Sequence, residues 1–62
     1  MEFADNAHII QFKTQDDVWV TDTCELEPAP AFRRASHLLQ FAYDKVRVIT
    51  PDGTIIEDVY ID

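Results

Sequence analysis

The apolar residues of this chain change their spacing once and then change it back, and that switch limits the folds open to it. From His8 to Lys13 (HIIQFK) and from Asp17 to Leu26 (DVWVTDTCEL), apolar and polar residues alternate, as strands with one buried face require. From Pro30 to about Tyr43 the residues Phe32, Ala35, Leu38, Leu39 and Ala42 recur at steps of three and four, which places them on one stripe of a helix. The period of two returns from Lys45 to Thr50 and from Thr54 to Asp62. This order predicts an α+β domain, β-β-α-β-β, with one helix packed on one face of a four-stranded antiparallel sheet.

Local punctuation supports these boundaries. TQDD (residues 14–17) supplies turn formers between the first two strands. In EPAPAF, Pro28 and Pro30 end the second strand and suit the first turn of the helix. TPDGT marks a second hairpin, with Pro51 presetting φ and Gly53 free to take a positive one. Alternation then assigns Ile10, Phe12, Val18, Val20, Cys24, Leu26, Val46, Val48, Ile55, Val59 and Ile61 to the helix side. Asp22 interrupts this set and implies a bulge or a sheet rim, and Glu57 is a second misfit near an edge. No internal repeat or low-complexity segment is apparent.

With 62 residues the chain is read as one small domain, 1–62, whose residues 1–7 are flexible or fold back over the sheet. Hydrophobic residues at 47% and only one Gly argue for a folded core rather than a disordered tail. Twelve acidic residues against five basic ones give a net charge of −7, which disfavours direct contact with nucleic acid or anionic lipid and favours basic proteins. No run of about 18 apolar residues occurs and the N-terminus is acidic, so a cytoplasmic protein with no membrane segment is expected.

Residues capable of chemistry are few. Cys24 is the only cysteine, so the chain can form no intrachain disulfide, and it is placed in the core, where a thiol is inert packing. His8 and His37 have no local spacing to Cys24 or to each other. The acidic stretches lack calcium-loop spacing, and the single Gly53 leaves no phosphate cradle. No enzyme activity, metal or other cofactor is expected.

Arg33 and Arg34, followed by Ser36, match a kinase recognition pattern, but a serine packed in a helix is a poor substrate. Positive charge at a helix start opposes the helix dipole, and Glu25 and Glu27 just upstream are the expected ion-pair partners. A binding role for the two arginines with His37 and Phe41 is the alternative, since a phenyl ring outside the apolar stripe needs a cover.

The same alternation leaves Ile9, Trp19, Ile49, Ile56 and Tyr60 on the open face of the sheet, among carboxylates. Such a patch marks a protein-binding surface, unless residues 1–7 cover it with Phe3 or two chains pack it together. The expected contact residues are Trp19, Tyr60 and Ile56 as anchors, Asp17, Glu25, Glu27, Asp58 and Asp62 as an acidic array, and Arg34 and Phe41 on the helix. Alternate strand residues lie about 6.6–6.8 Å apart, close to a phosphate repeat. The expected function is therefore a small acidic protein-binding module, such as a phage inhibitor, occupying the nucleic-acid-binding basic surface of a larger protein. The alternative is an accessory subunit or homodimer using the outer sheet face as an obligate interface.

Overall fold

The computed structural model describes residues 6–59. The β-β-α-β-β order is the one the spacing predicts: β1 His8–Lys13, β2 Trp19–Glu25, α1 Pro28–Phe41, β3 Val46–Ile49 and β4 Ile55–Glu57. The strands form one antiparallel sheet in the order β2-β1-β3-β4, so β1 and β3 are central and each hairpin supplies one edge.

Helix α1 begins at Pro28, earlier than the apolar stripe alone suggests, because both prolines fit the first turn, where backbone N–H groups lack intrahelical partners. It ends when the N–H groups of Ala42 and Tyr43 both turn back to the Leu38 carbonyl, at 2.9 and 2.8 Å. With this start, Arg33 and Arg34 lie in the second turn, past the stretch over which the dipole acts strongly, and the expected conflict largely disappears.

The core lies between α1 and the two central strands. Ile10, Val46 and Val48 are fully buried against Ala31, Ala35, Leu38 and Leu39, with Phe12, Phe32 and Tyr43 around them. Ala31 and Ala35 are small enough to let the helix sit close to the sheet, and Phe12 and Tyr43 stack at 4.0 Å to close one end. Because the helix covers the centre of the sheet, Val20 on the edge strand stays 39% exposed although it faces the helix side.

The two hairpins share one design. Gln11↔Thr21, Phe12↔Val20 and Lys13↔Trp19 in the first correspond to Arg47↔Glu57, Val48↔Ile56 and Ile49↔Ile55 in the second, each residue displaced by the 36 positions that separate Gln11 from Arg47. Both loops are three-residue connections. In one, Asp17 N–H bonds Thr14 O and Thr14 N–H bonds Val18 O; in the other, Gly53 N–H bonds Thr50 O and Thr50 N–H bonds Thr54 O. The residue at the left-handed position is Asp17 (φ 67°) in the first and Gly53 (φ 89°) in the second. A structural repeat therefore exists where the sequence alone shows none. Only Thr14/Thr50, Asp16/Asp52 and Asp22/Asp58 are identical between the copies, because turn chemistry and alternation suffice to specify the backbone.

Register corrects several expected orientations. The β1–β2 pairing shifts between Ile10 and Gln11, so Asp22 is the extra residue of a bulge, as expected. Beyond it the faces exchange: Thr23 and Glu25 turn to the helix side, and Cys24 turns outward and is exposed, not buried. In the second hairpin the loop pairs Ile49 with Ile55 and Val48 with Ile56, which points Ile55 outward and Ile56 inward, the reverse of the expected assignment. Glu57 is then no misfit, since it stands outside opposite Arg47. Val18 and Leu26 lie outside the strands and are 53% and 59% exposed. Strand β4 ends at Glu57 because Asp58 takes φ 55°. Tyr60, Ile61 and Asp62, and the proposed cover by Phe3, lie outside the described residues.

Candidate functional site

The open face of the sheet is organised in rows that run across the strands. Cys24, Ile9, Ile49 and Ile55 are successive cross-strand partners from β2 to β4, forming one apolar row across all four strands. With strands about 4.8 Å apart, the row is about 14 Å long. Ile9 and Ile49 are half-buried by their neighbours, while Ile55 at the edge is 53% exposed.

The next row is polar: Thr21, Gln11, Arg47 and Glu57. It is tied together by Arg47 Nε donating to Gln11 Oε1 at 2.8 Å and Gln11 Nε2 donating to Thr21 Oγ1 at 3.1 Å. Trp19 lies beside this row and is half-buried by cations, with the Arg47 guanidinium carbon 4.1 Å and Lys13 Nζ 5.6 Å from its ring. The indole is therefore partly occupied within the molecule. The isoleucines, not Trp19, make the continuous apolar surface.

The expected acidic array is not gathered on this face. Asp17, in the first loop, binds Lys13 at 2.8 Å, and Asp58 binds Lys45 at 3.2 Å. Glu25 faces the helix side opposite His8, and Glu27 is the extended residue before α1, without a side-chain cap bond. Ile56 belongs to the helix side. Register, which alternation alone could not supply through a bulge, is what scatters these residues.

Arg34 pairs with Asp22, not with Glu25 or Glu27. Its Nε lies 2.9 Å from Asp22 Oδ2, and Nη2 adds a second bond at 3.3 Å. The hydrogen bond and the adjacent carboxylate raise the guanidinium pKa further. The bulge that disturbs the strand thus aims Asp22 at the helix, a link between the expected misfit and the expected arginine partner that no local spacing could reveal. Ser36 is buried and accepts from Gln40 Nε2 at 2.8 Å, so the kinase pattern is out of reach in the folded chain. Phe41 is 74% exposed, as its position off the stripe implied.

Cys24 and His8 cannot act together, because the thiol points to the open face and the imidazole to the helix side. His8 is buried edge-on to Phe32 at 6.4 Å, with Nδ1 unpaired among the described residues. Among the described residues no three His, Cys, Asp or Glu side chains form a metal-binding group, and no helix is long and apolar enough to cross a membrane. An open groove of about 610 Å³ lies between the first loop and the α1–β3 connection, with the Phe12–Tyr43 stack in its wall and Lys13 and Lys45 already engaged by aspartates. Comparison with known proteins gives no further identification: no family model, no curated protein and no solved structure matches this chain.

Proposed function

We propose that this protein is a small, acidic, cytoplasmic protein-binding module that docks on a larger protein through the apolar row Cys24, Ile9, Ile49 and Ile55. The observation that carries this reading is an internal control supplied by the repeated hairpin. The 36-residue displacement relates Ile49 to Lys13 and Ile9 to Lys45, so the same backbone positions hold lysines at the other end of the sheet. The fold accommodates charge there. Apolar side chains at Ile9 and Ile49 are thus not a requirement of the sheet, and burial against a partner explains them.

A net charge of −7 around this row favours a basic partner surface, including one that otherwise binds nucleic acid. Asp17 and Asp58 are engaged by lysines and Asp52 by Thr50 and Thr54, and Glu25 faces the helix side, so carboxylate mimicry rests on Asp16, Glu27 and Glu57. Homodimerisation is the second reading, favoured by a row that spans every strand and can pack against its own copy.

The deciding experiment compares wild type with Ile49→Lys, which copies the residue at the equivalent position. Its folding stability is expected to fall by about 1 kcal/mol at most, because Ile49 is only half-buried and a lysine stem can cover the same neighbours. Capture from a bacterial lysate in rising salt, with light scattering on the bait, then reads the surface. A protein held by wild type and lost by Ile49→Lys supports the docking reading, and release as salt rises identifies a basic partner. A wild-type dimer that the variant turns into a monomer supports the second reading. Equal capture and equal mass for both chains refute both.

A further inference from the structure

The opposite layer of the molecule carries a different surface. Helix α1 contains Arg33 and Arg34 and no carboxylate, so all twelve acidic residues of the chain lie outside it. Three of its exposed residues, Arg33, His37 and Phe41, follow at four-residue steps and form one ridge about 12 Å long.

Each member of that ridge lacks a task inside the fold. Arg34 is held by Asp22, but Arg33 makes no ion pair or hydrogen bond among the described residues. Lys13 and Lys45 are also paired, and Arg47 is engaged by Gln11 and Trp19, so Arg33 is the one cation here left without a protein partner among the described residues. Phe41 is 74% exposed and outside the core cluster. His37 lies against it, the two rings 5.0 Å apart and tilted by 49°. An exposed phenyl supported by an imidazole, about two turns beyond an unpaired guanidinium, has the make-up of an interface anchor with a charged clamp.

We infer that the α1 ridge is a second docking surface, and that its occupant is an acidic protein segment carrying an apolar anchor. Charge complementarity selects this partner: the helix carries two arginines and no carboxylate in a chain of net charge −7, and a carboxylate is the group a free guanidinium binds in two parallel bonds. A nucleic acid strand is disfavoured, because its many phosphates meet the net charge of −7 beyond the ridge. The inference does not rest on the apolar row, which lies on the far side of a body only 16 Å thick between Cα extremes.

The test is an amide chemical-shift titration of the full chain with two probe peptides of about twelve residues, sharing Leu and Phe anchors and differing in Glu or Lys at every other exposed position. A short single-stranded DNA serves as the third probe. The Glu peptide is expected to shift Arg33, His37 and Phe41, with affinity falling about five- to tenfold in Arg33→Glu and in Phe41→Ala. Both substitutions are at exposed sites, and the unchanged spectrum of the sheet verifies folding. No binding at millimolar peptide, equal binding of the Lys peptide, tighter binding of the DNA, or shifts confined to the sheet overturn the inference. Shifts of the same amides on raising the protein concentration alone assign the ridge to a second copy of this chain and equally overturn it.

Discussion

The two ends of the sheet are built on the same backbone and finished with opposite chemistry. At one end Lys13 and Lys45 point outward beside Trp19, and each ammonium is neutralised by an aspartate, Asp17 or Asp58. At the other end the equivalent positions hold Ile49 and Ile9, beside Ile55 and Cys24. Since pairing, loop type and displacement are shared, the backbone does not demand either set. The charged end shows how these positions look when water is their neighbour. The apolar end carries, at the equivalent positions, the side chains that the proposed docking would bury against a partner.

If the two hairpins are structural equivalents, matched substitutions should cost matched amounts. Ile10→Ala and Val46→Ala remove equivalent, fully buried side chains from the central strands. Each is expected to destabilise the fold by roughly 2–5 kcal/mol, Ile10 the more because it loses more volume. Urea unfolding of both variants checks this, and a several-fold disparity would break the equivalence.

The loops give the next largest effect, and here the hairpins should differ in sign. A Cβ added at Gly53 meets nothing within 4 Å, so only its φ of 89° resists substitution. Gly53→Ala is expected to cost about 1–2 kcal/mol. Asp17 already pays a left-handed penalty at the equivalent position, and Asp17→Gly should recover up to about 1 kcal/mol, less whatever the exposed pair with Lys13 contributes. Thermal unfolding of both variants decides it; destabilisation by Asp17→Gly would mean that the Lys13 contact outweighs backbone strain.

The smallest effect separates Asp52 from its counterpart Asp16. The Thr50 hydroxyl and the Thr54 backbone N–H both donate to the Asp52 carboxylate and hold its pKa below the ordinary carboxylate value. Among the described residues Asp16 accepts no such bonds. A depressed folded-state pKa adds stability that is present above the unfolded value, about 3.9, and is lost as pH falls through the folded one. Asp52→Asn should therefore weaken the fold slightly at neutral pH, with the difference from wild type vanishing in strong acid.

Legibility in the sequence followed the range of the interaction involved. Turn chemistry and alternation are local, so TPDGT, the strand order along the chain and the helix all read directly. The Asp22 bulge was readable as a broken pattern, but its consequence was not, because the residue after a bulge changes face according to which partner strand it meets. Cys24 moved outward for that reason, and Ile55 and Ile56 exchanged faces because the loop, not the strand, sets register. Of the candidate contact residues, Trp19 and Phe41 were readable as apolar side chains off the core stripe. Ile9 and Ile49 were legible as outward-facing, but not as members of one row.

By itself the sequence determined the elements, their order, the two turns and the acidity, since each depends on residues a few positions apart or on a simple count. Only the tertiary structure decided what crosses between elements: the β2-β1-β3-β4 order, the Asp22–Arg34 pair, the Cys24–Ile9–Ile49–Ile55 row and the repeat that relates it to lysines. These depend on register between distant strands. A shift of one residue there exchanges every side chain between helix and solvent at little local cost, so the shared core of Ile10, Val46 and Val48 must choose it.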